Sequence, residues 1–293
     1  HWDFYFHGKK KPSFYPKLEN FFRQIHPYYP ELEGFEFRIE SENTFPHSSG
    51  IASSASSMSA LSLCMLSLIE KTRGAIKSDK GFFREASFLS RLGSGSASRS
   101  VFPGFAVWGE HTLIEDASNE YAVPLNFEVH PKFRELRDAI LIVNTEKKKV
   151  SSTQGHESMV HHPFAKERYN QAQQNMKKLL ASLESGEQEG FIQIIENEAL
   201  TLHAMMMSAN PGFILMNPST LSIIDEVRKF RKESGAFISF TLDAGPNVHL
   251  LYSKGNEDVI HEFINNNLIK YCNNGQVIFD GIGDGPVKIC SEN

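Results

Sequence analysis

A mixed α+β fold in two domains is what the sequence predicts, and three observations carry it. The 293-residue chain is 40% hydrophobic, enough apolar surface for two cores. In its first half, short alternating runs are interspersed with a stretch whose apolar residues recur every three or four positions. Those two periods mark strands and an amphipathic helix. From Ser158 onward long helical segments take over. The change of texture puts the boundary near residues 132–136, so 1–135 and 136–293 are the expected domains.

Residues 17–25 read as a short helix with Leu18, Phe21 and Phe22 on one face, and 35–39 alternate like a strand. A Ser/Gly-dense stretch, 46–59, runs into a helix over 51–69, with Ile51, Ala55, Met58, Leu61, Met65, Leu68 and Ile69 on one side. A second Ser/Gly tract, 93–100, precedes a strand-like 101–108, and 136–144 is a buried-strand run. Helices follow over 164–185, 188–207 and 220–234. A strand over 236–242 turns through Asp243-Ala244-Gly245-Pro246-Asn247 into a partner over 248–252. A helix over 258–271 and a short strand at 277–279 close the chain.

Composition excludes several classes. The apolar fraction is too high for a disordered chain and the charged fraction, 22%, too low for a coiled coil. Net charge is −5, so no global basic field attracts nucleic acid. Cys64, Cys272 and Cys290 form no Cys-x-x-Cys pair and cannot build a disulfide framework, which fits a cytoplasmic protein. No apolar run reaches the roughly eighteen residues that span a bilayer, and no signal peptide opens the chain. The sequence begins His1-Trp2-Asp3 without an initiator Met, so a preceding segment is expected in the natural product.

Four stretches carry candidate chemistry. Pro46-His47-Ser48-Ser49-Gly50-Ile51-Ala52-Ser53-Ser54-Ala55 lies between a strand and a helix start. Small residues there admit a ligand to the backbone, and the unpaired N–H groups favour phosphate. The hydroxyls of Ser53 and Ser54 can add hydrogen bonds or ligate a metal ion. The Gly-Lys-Ser/Thr ending of a Walker A loop is missing, and a Ser-rich N-cap packed by small residues stays open as the alternative. The second, Gly93-Ser94-Gly95-Ser96-Ala97-Ser98-Arg99-Ser100, has linker composition, but apolar segments flank it closely and one Arg ends it. A guanidinium fork pairs with carboxylate or phosphate, and a surface loop with an idle Arg stays open as the alternative. The third is Lys147-Lys148-Lys149-Val150-Ser151-Ser152-Thr153-Gln154-Gly155, either a solvated face or an anion site. The fourth places Asp243 where a strand turns, and Asp-x-Gly-Pro is also good turn chemistry. His156, His161 and His162 cluster without an acidic partner at ligand spacing, so ordinary surface histidines are expected. No Gly-x-Ser-x-Gly elbow occurs, and Met205-Met206-Met207 reads as core packing.

Taken in order, Ser-Ser-Gly-Ile-Ala-Ser-Ser-Ala, Gly-Ser-Gly-Ser-Ala-x-Arg-Ser, Lys-Lys-Val-Ser-Ser-Thr and Asp-Ala-Gly-Pro-Asn resemble the mevalonate diphosphate decarboxylases of the GHMP kinase superfamily. The likeness runs from about Phe35 to Tyr252 with order and rough spacing kept. It implies a ribosomal protein S5 domain 2-like N-terminal part that binds ATP and a ferredoxin-like C-terminal part. It implies Mg2+ and ATP as cofactors, mevalonate 5-diphosphate as substrate, isopentenyl diphosphate as product, and a homodimer as in many members. By position, Ser49, Gly50, Ala52, Ser53 and Ser54 fall on the ATP-phosphate loop, Ser54 also toward the metal. Ser94, Gly95, Ser96 and Arg99 fall on the substrate site, Ser151, Ser152 and Thr153 near the substrate diphosphate, and Asp243 on the catalytic carboxylate.

Three departures stand out. Ser98 replaces the family's usual Cys. The stretch after Thr153, Gln154-Gly155-His156-Glu157-Ser158-Met159, is longer than the usual x-Gly-Met. The family's opening strands, with an Asn and a Tyr-Trp-Gly-Lys motif, have no counterpart here, so those strands are expected to be missing. A phosphomevalonate decarboxylase or a mevalonate 3-kinase would share much of the pattern. A non-catalytic binding protein on the same fold would not need Arg99 and Asp243.

Overall fold

A computed structural model describes residues 1–45, 53–74, 78–145 and 159–289. The Cα trace divides into two compact units, one built mainly from the first 126 residues and the segment from Gly283, the other from Phe127–Ile282.

In the first unit, β1 (Trp2–Phe6) pairs antiparallel with β2 (Lys9–Lys10) and parallel with β3 (Phe37–Ser41). The crossover between the parallel strands is α1 (Tyr15–Ile25), which buries Leu18, Phe21 and Ile25 at helical spacing. Sequence patterning assigned nothing to the first strand, although Trp2, Phe4 and Phe6 alternate with Asp3 and Tyr5. Helix α2 (Ser53–Arg73) buries Ala55, Met58, Leu61, Met65 and Ile69 of the expected stripe and Leu66 besides, while Leu68 is half-buried and Ile51 lies outside the described residues. Against it lies α3 (Asp79–Gly93), which the sequence reading passed over. The reason is visible: Ser87 and Ser90 stand on its buried face beside Ala86 and Leu89, and they mask the apolar period. Ser90 satisfies its hydroxyl on the Ala86 carbonyl at 2.6 Å. Such small residues let the two helices come close. A Cβ on Gly93 would lie 2.6 Å from Met58 Sδ.

Only Ala106–Trp108 (β4) of the expected 101–108 strand pairs, with β5 (Ala122–Pro124). Pro103 and Gly104, the latter at φ +62°, turn the chain before it.

The second unit is a four-stranded antiparallel sheet in the order β7-β8-β6-β9, formed by Leu136–Leu141 (β6), Ile238–Leu242 (β7), Val248–Ser253 (β8) and Val277–Gly281 (β9). Numbered from the first of these strands, that is the 4-1-3-2 arrangement of a ferredoxin-like sheet. A one-turn helix, α4 (Pro131–Arg134), precedes β6. Between β6 and β7 run α5 (Ala165–Ser185), α6 (Gln188–Ser208) and α7 (Pro218–Ser234), and α8 (Glu257–Phe263) connects β8 to β9. The core joins Ala139, Leu141, Ile238, Phe240, Leu250 and Tyr252 of the sheet to Ile223, Val227, Ile260 and Phe263 of the helices. The helix expected over 258–271 is regular only to Phe263; it widens to a π-turn at Ile264–Leu268 and tightens at Ile269–Tyr271. Three consecutive Asn residues there favour side-chain competition for backbone groups over helix.

No described helix is long and apolar enough to cross a membrane.

Candidate functional site

The Ser-rich start of α2 divides by role. Ser59 and Ser62 are buried small residues of the helix packing, and the Ser57 hydroxyl bonds back to the Ser53 carbonyl at 2.9 Å. Ser53 and Ser54 remain half-exposed in the first turn, where backbone N–H groups lack intrahelical partners. Ser53 and Ser57 border a cavity of about 240 Å³ whose other walls include Phe4 and Phe6 of β1 and Arg38 and Ile39 of β3. Ser49, Gly50 and Ala52 lie outside the described residues, as do Ser151, Ser152 and Thr153.

Ser54 Oγ stands 3.2 Å from Ser94 Oγ, so the first and second motifs meet through their hydroxyls. The second tract is no linker. It forms a 3₁₀ turn over Gly95–Ser98 directly after α3. Ser98 is fully buried and donates to the Gly95 carbonyl at 2.7 Å. Ser87 Oγ donates to the Ser98 carbonyl at 2.7 Å and accepts the Ala122 N–H at 2.8 Å, tying the turn to β5. At Gly95 a Cβ would fall 2.7 Å from the Trp108 ring, which is itself held by its indole N–H on the Asn119 carbonyl at 2.9 Å. The turn therefore presents Ser94 and Ser96 half-exposed and Arg99 exposed on a fixed backbone.

Asp243 directly follows β7 in the second unit, its side chain exposed and its backbone anchored from several sides. The Asp243 carbonyl accepts the Gly245 N–H at 2.7 Å and is 3.1 Å from His203 Nε2 on α6. Thr220, within the Asn217 capping box of α7, donates its hydroxyl to the Pro246 carbonyl at 2.7 Å. Asn247 Oδ1 accepts the Val143 and Asn144 N–H groups at 2.8 and 3.1 Å. One residue into β8, His249 Nδ1 lies 2.8 Å from Asp138 Oδ2 of β6. Burial is the largest influence on the His249 imidazole and pushes its pKa down, but the Asp138 bond and charge, with the Asp243 charge, together raise it. Burial holds His203 below its ordinary value against the smaller pull of Asp243.

Sequence reasoning named neither His203, Thr220, His249 nor Asp138 as part of this neighbourhood. One signal was present: Glu196, Ala199, His203 and Met206 recur at steps of three and four, a buried stripe carrying polar groups that need partners. His162, expected at the surface, is buried instead, with Nε2 3.1 Å from Ser208 Oγ and Nδ1 accepting the Phe164 N–H. Met205 and Met206 are buried in the core and Met207 is exposed. Among the described residues, no group of three or more His, Cys, Asp or Glu side chains is placed to hold a metal ion.

Residues 2–119 match a family model of the diphosphomevalonate decarboxylase-like N-terminal domain, and 139–289 match the mevalonate 5-diphosphate decarboxylase C-terminal domain. The diphosphomevalonate decarboxylase of Candida albicans is 30% identical over 79% of this chain and 61% of its own length. That of Aspergillus fumigatus is 26% identical over 90% of this chain and 72% of its own. Among solved structures, mevalonate diphosphate decarboxylase from Staphylococcus aureus superposes with a TM-score of 0.79 at 27% identity, covering 97% of this chain and 81% of that one. A structure of MDDEF with MVAPP, AMPPCP and magnesium gives the same TM-score, identity and coverage.

Proposed function

The chain belongs to the diphosphomevalonate decarboxylase family, and from that premise we propose that it converts mevalonate 5-diphosphate, with Mg-ATP, to isopentenyl diphosphate, ADP, phosphate and carbon dioxide. The observation that carries the reading is Asp243, a carboxylate facing solvent from a backbone fixed by hydrogen bonds.

In this reading residues 1–135 serve the nucleotide and 136–293 supply the general base. Asp243 accepts the proton of the substrate's tertiary 3-hydroxyl as that oxygen bonds to the γ-phosphorus and ADP departs. The C3–O bond then breaks with phosphate, and the C1–C2 electron pair forms the new double bond as carbon dioxide leaves. Once that proton has passed from exposed Asp243 to solvent, the ionised carboxylate stabilises positive charge developing at C3. Arg99 holds the substrate carboxylate in a bidentate fork, which suits its exposure on a rigid turn. Ser94 and Ser96 offer neutral donors to a substrate crowded with anionic oxygen.

The start of α2 fits the nucleotide phosphates: its first-turn N–H groups, Ser53, and a cavity alongside meet there. Ser54 is the hydroxyl we assign to Mg2+, which, when bound with ATP, offsets charge on the transferring phosphoryl group. The same reading puts the protein in the cytoplasm, supported by described cysteines, Cys64 and Cys272, that are free thiols.

The test is incubation with Mg-ATP and, in parallel, mevalonate, its 5-phosphate and its 5-diphosphate. Carbon dioxide released from the 5-diphosphate alone is expected. Release from the monophosphate instead would make it a phosphomevalonate decarboxylase, and ADP without carbon dioxide would make it a 3-kinase.

A further inference from the structure

We infer that His203 is a positioning residue for Asp243, holding the carboxylate through the main chain. The inference rests on the role proposed for Asp243 above. Asp243 is exposed, so its carboxylate is aimed by the peptide that carries it and not by packing of its own side chain. That peptide's carbonyl takes two donors, the Gly245 N–H at 2.7 Å within the turn and His203 Nε2 at 3.1 Å from a different element. A carbonyl oxygen only accepts, so Nε2 must carry the proton. His203 is 1% exposed, deep in the inner stripe of α6. Burial also favours the neutral ring, and the carbonyl acceptor selects its Nε2–H tautomer.

Space-filling alone does not explain this side chain. Met205 and Met206 show that the same stretch of helix accepts apolar residues where only packing is required. A buried imidazole costs desolvation unless it makes its hydrogen bond. The bond it makes crosses from α6 to the first peptide beyond β7, where the chain turns and presents a carboxylate. Thr220 and Asn247 fix the far side of the same turn, at Pro246 and at the end of β6. Without His203 the Asp243 carbonyl keeps only one of its two donors, the Gly245 N–H within the turn, and loses the one that ties it to another element.

The experiment measures kcat, substrate KM and melting temperature for the wild type, His203→Leu, His203→Gln, Asp243→Asn and the double variant His203→Leu/Asp243→Asn. Loss of alignment without loss of binding predicts a fall in kcat of about 10- to 100-fold for His203→Leu, with KM within about twofold of wild type. Gln, whose amide also donates at comparable reach, is expected to restore most of kcat. In the Asp243→Asn background, His203→Leu is expected to add less than about a twofold effect, because it acts through a group already removed. If His203→Leu does not fold, His203→Asn replaces it, an amide too short to reach the carbonyl. Full kcat in His203→Leu, with Asp243→Asn inactive, overturns the positioning role and leaves Asp243 as base. An equal loss from His203→Leu in both backgrounds overturns it as well, since that is a general disturbance. Turnover retained by Asp243→Asn itself removes the role of Asp243 and this inference with it.

Discussion

His203 and His249 lie in the same unit and titrate in opposite directions from the ordinary imidazole. His249 keeps its proton in the folded state above the pH at which the unfolded chain releases it. Between those two values the folded state binds more protons, so stability falls as pH rises through the window and is fully present below the unfolded value near 6.5. His203 is the reverse. Its neutral form is favoured by folding, so its contribution is complete above the unfolded value and is lost as pH falls below it. Melting temperatures across about pH 5 to 8 separate the two. Asp138→Asn should flatten the alkaline loss, and His203→Gln should flatten the acid loss. An unchanged pH profile in either variant contradicts the corresponding assignment. Arg99 is tested at the same scale. Arg99→Lys keeps the charge and loses the fork, with an expected cost of roughly 2–5 kcal/mol in kcat/KM for a pair desolvated by bound substrate. Equal kcat/KM in the Lys variant would reduce Arg99 to background charge.

Within single elements, the candidate site depends on close approach. The turn after α3 is locked by Ser87, Ser98 and the contact of Gly95 with Trp108. Gly95→Ala forces the ring or the turn to move, and overpacking of this kind costs about 1–3 kcal/mol. We expect a lower melting temperature and a raised substrate KM, because Ser94, Ser96 and Arg99 ride on the displaced backbone. A normal KM would show that the turn tolerates the shift without contacting substrate. At the start of α2, Ser53→Leu places bulk against the first-turn N–H groups and the adjoining cavity. The apparent KM for ATP should rise while melting stays unchanged, since Ser53 is half-exposed. An ATP dependence equal to wild type would move the phosphates elsewhere.

For the whole molecule, bound ligands should report themselves as stability. Mg-ATP and mevalonate 5-diphosphate at about 100 times Kd each add about 2.7 kcal/mol to the state that binds them. For chains of this size that corresponds to a few degrees in Tm, read by calorimetry with each ligand alone and both together. Two compact units make separate transitions possible, so the transition that moves identifies the unit that binds. No shift with either ligand would oppose the proposed activity irrespective of any single residue.

Much of this protein was legible from its sequence. The three long helices of the second unit, the strand pair around the Asp243 turn and most of the buried stripe of α2 follow from periods of 3.6 and 2 and from Gly/Pro punctuation, which are local properties. Four ordered motifs were enough to suggest the family, because residue types near a ligand are constrained by chemistry. Helix α3 was hidden because Ser87 and Ser90 interrupt Ala86 and Leu89 on its buried face, and the inward role of such small residues depends on how close α2 comes. The start of the strand expected over 101–108 was likewise decided by pairing, since only Ala106–Trp108 meets β5. The contacts that hold the site join residues far apart in sequence: Ser54 with Ser94, His203 with Asp243, Asp138 with His249 and Asn247 with Val143. A one-dimensional pattern records which groups need partners. Only tertiary structure decides which partners they get, since a hydrogen bond is a matter of about 3 Å in space and not of spacing along the chain.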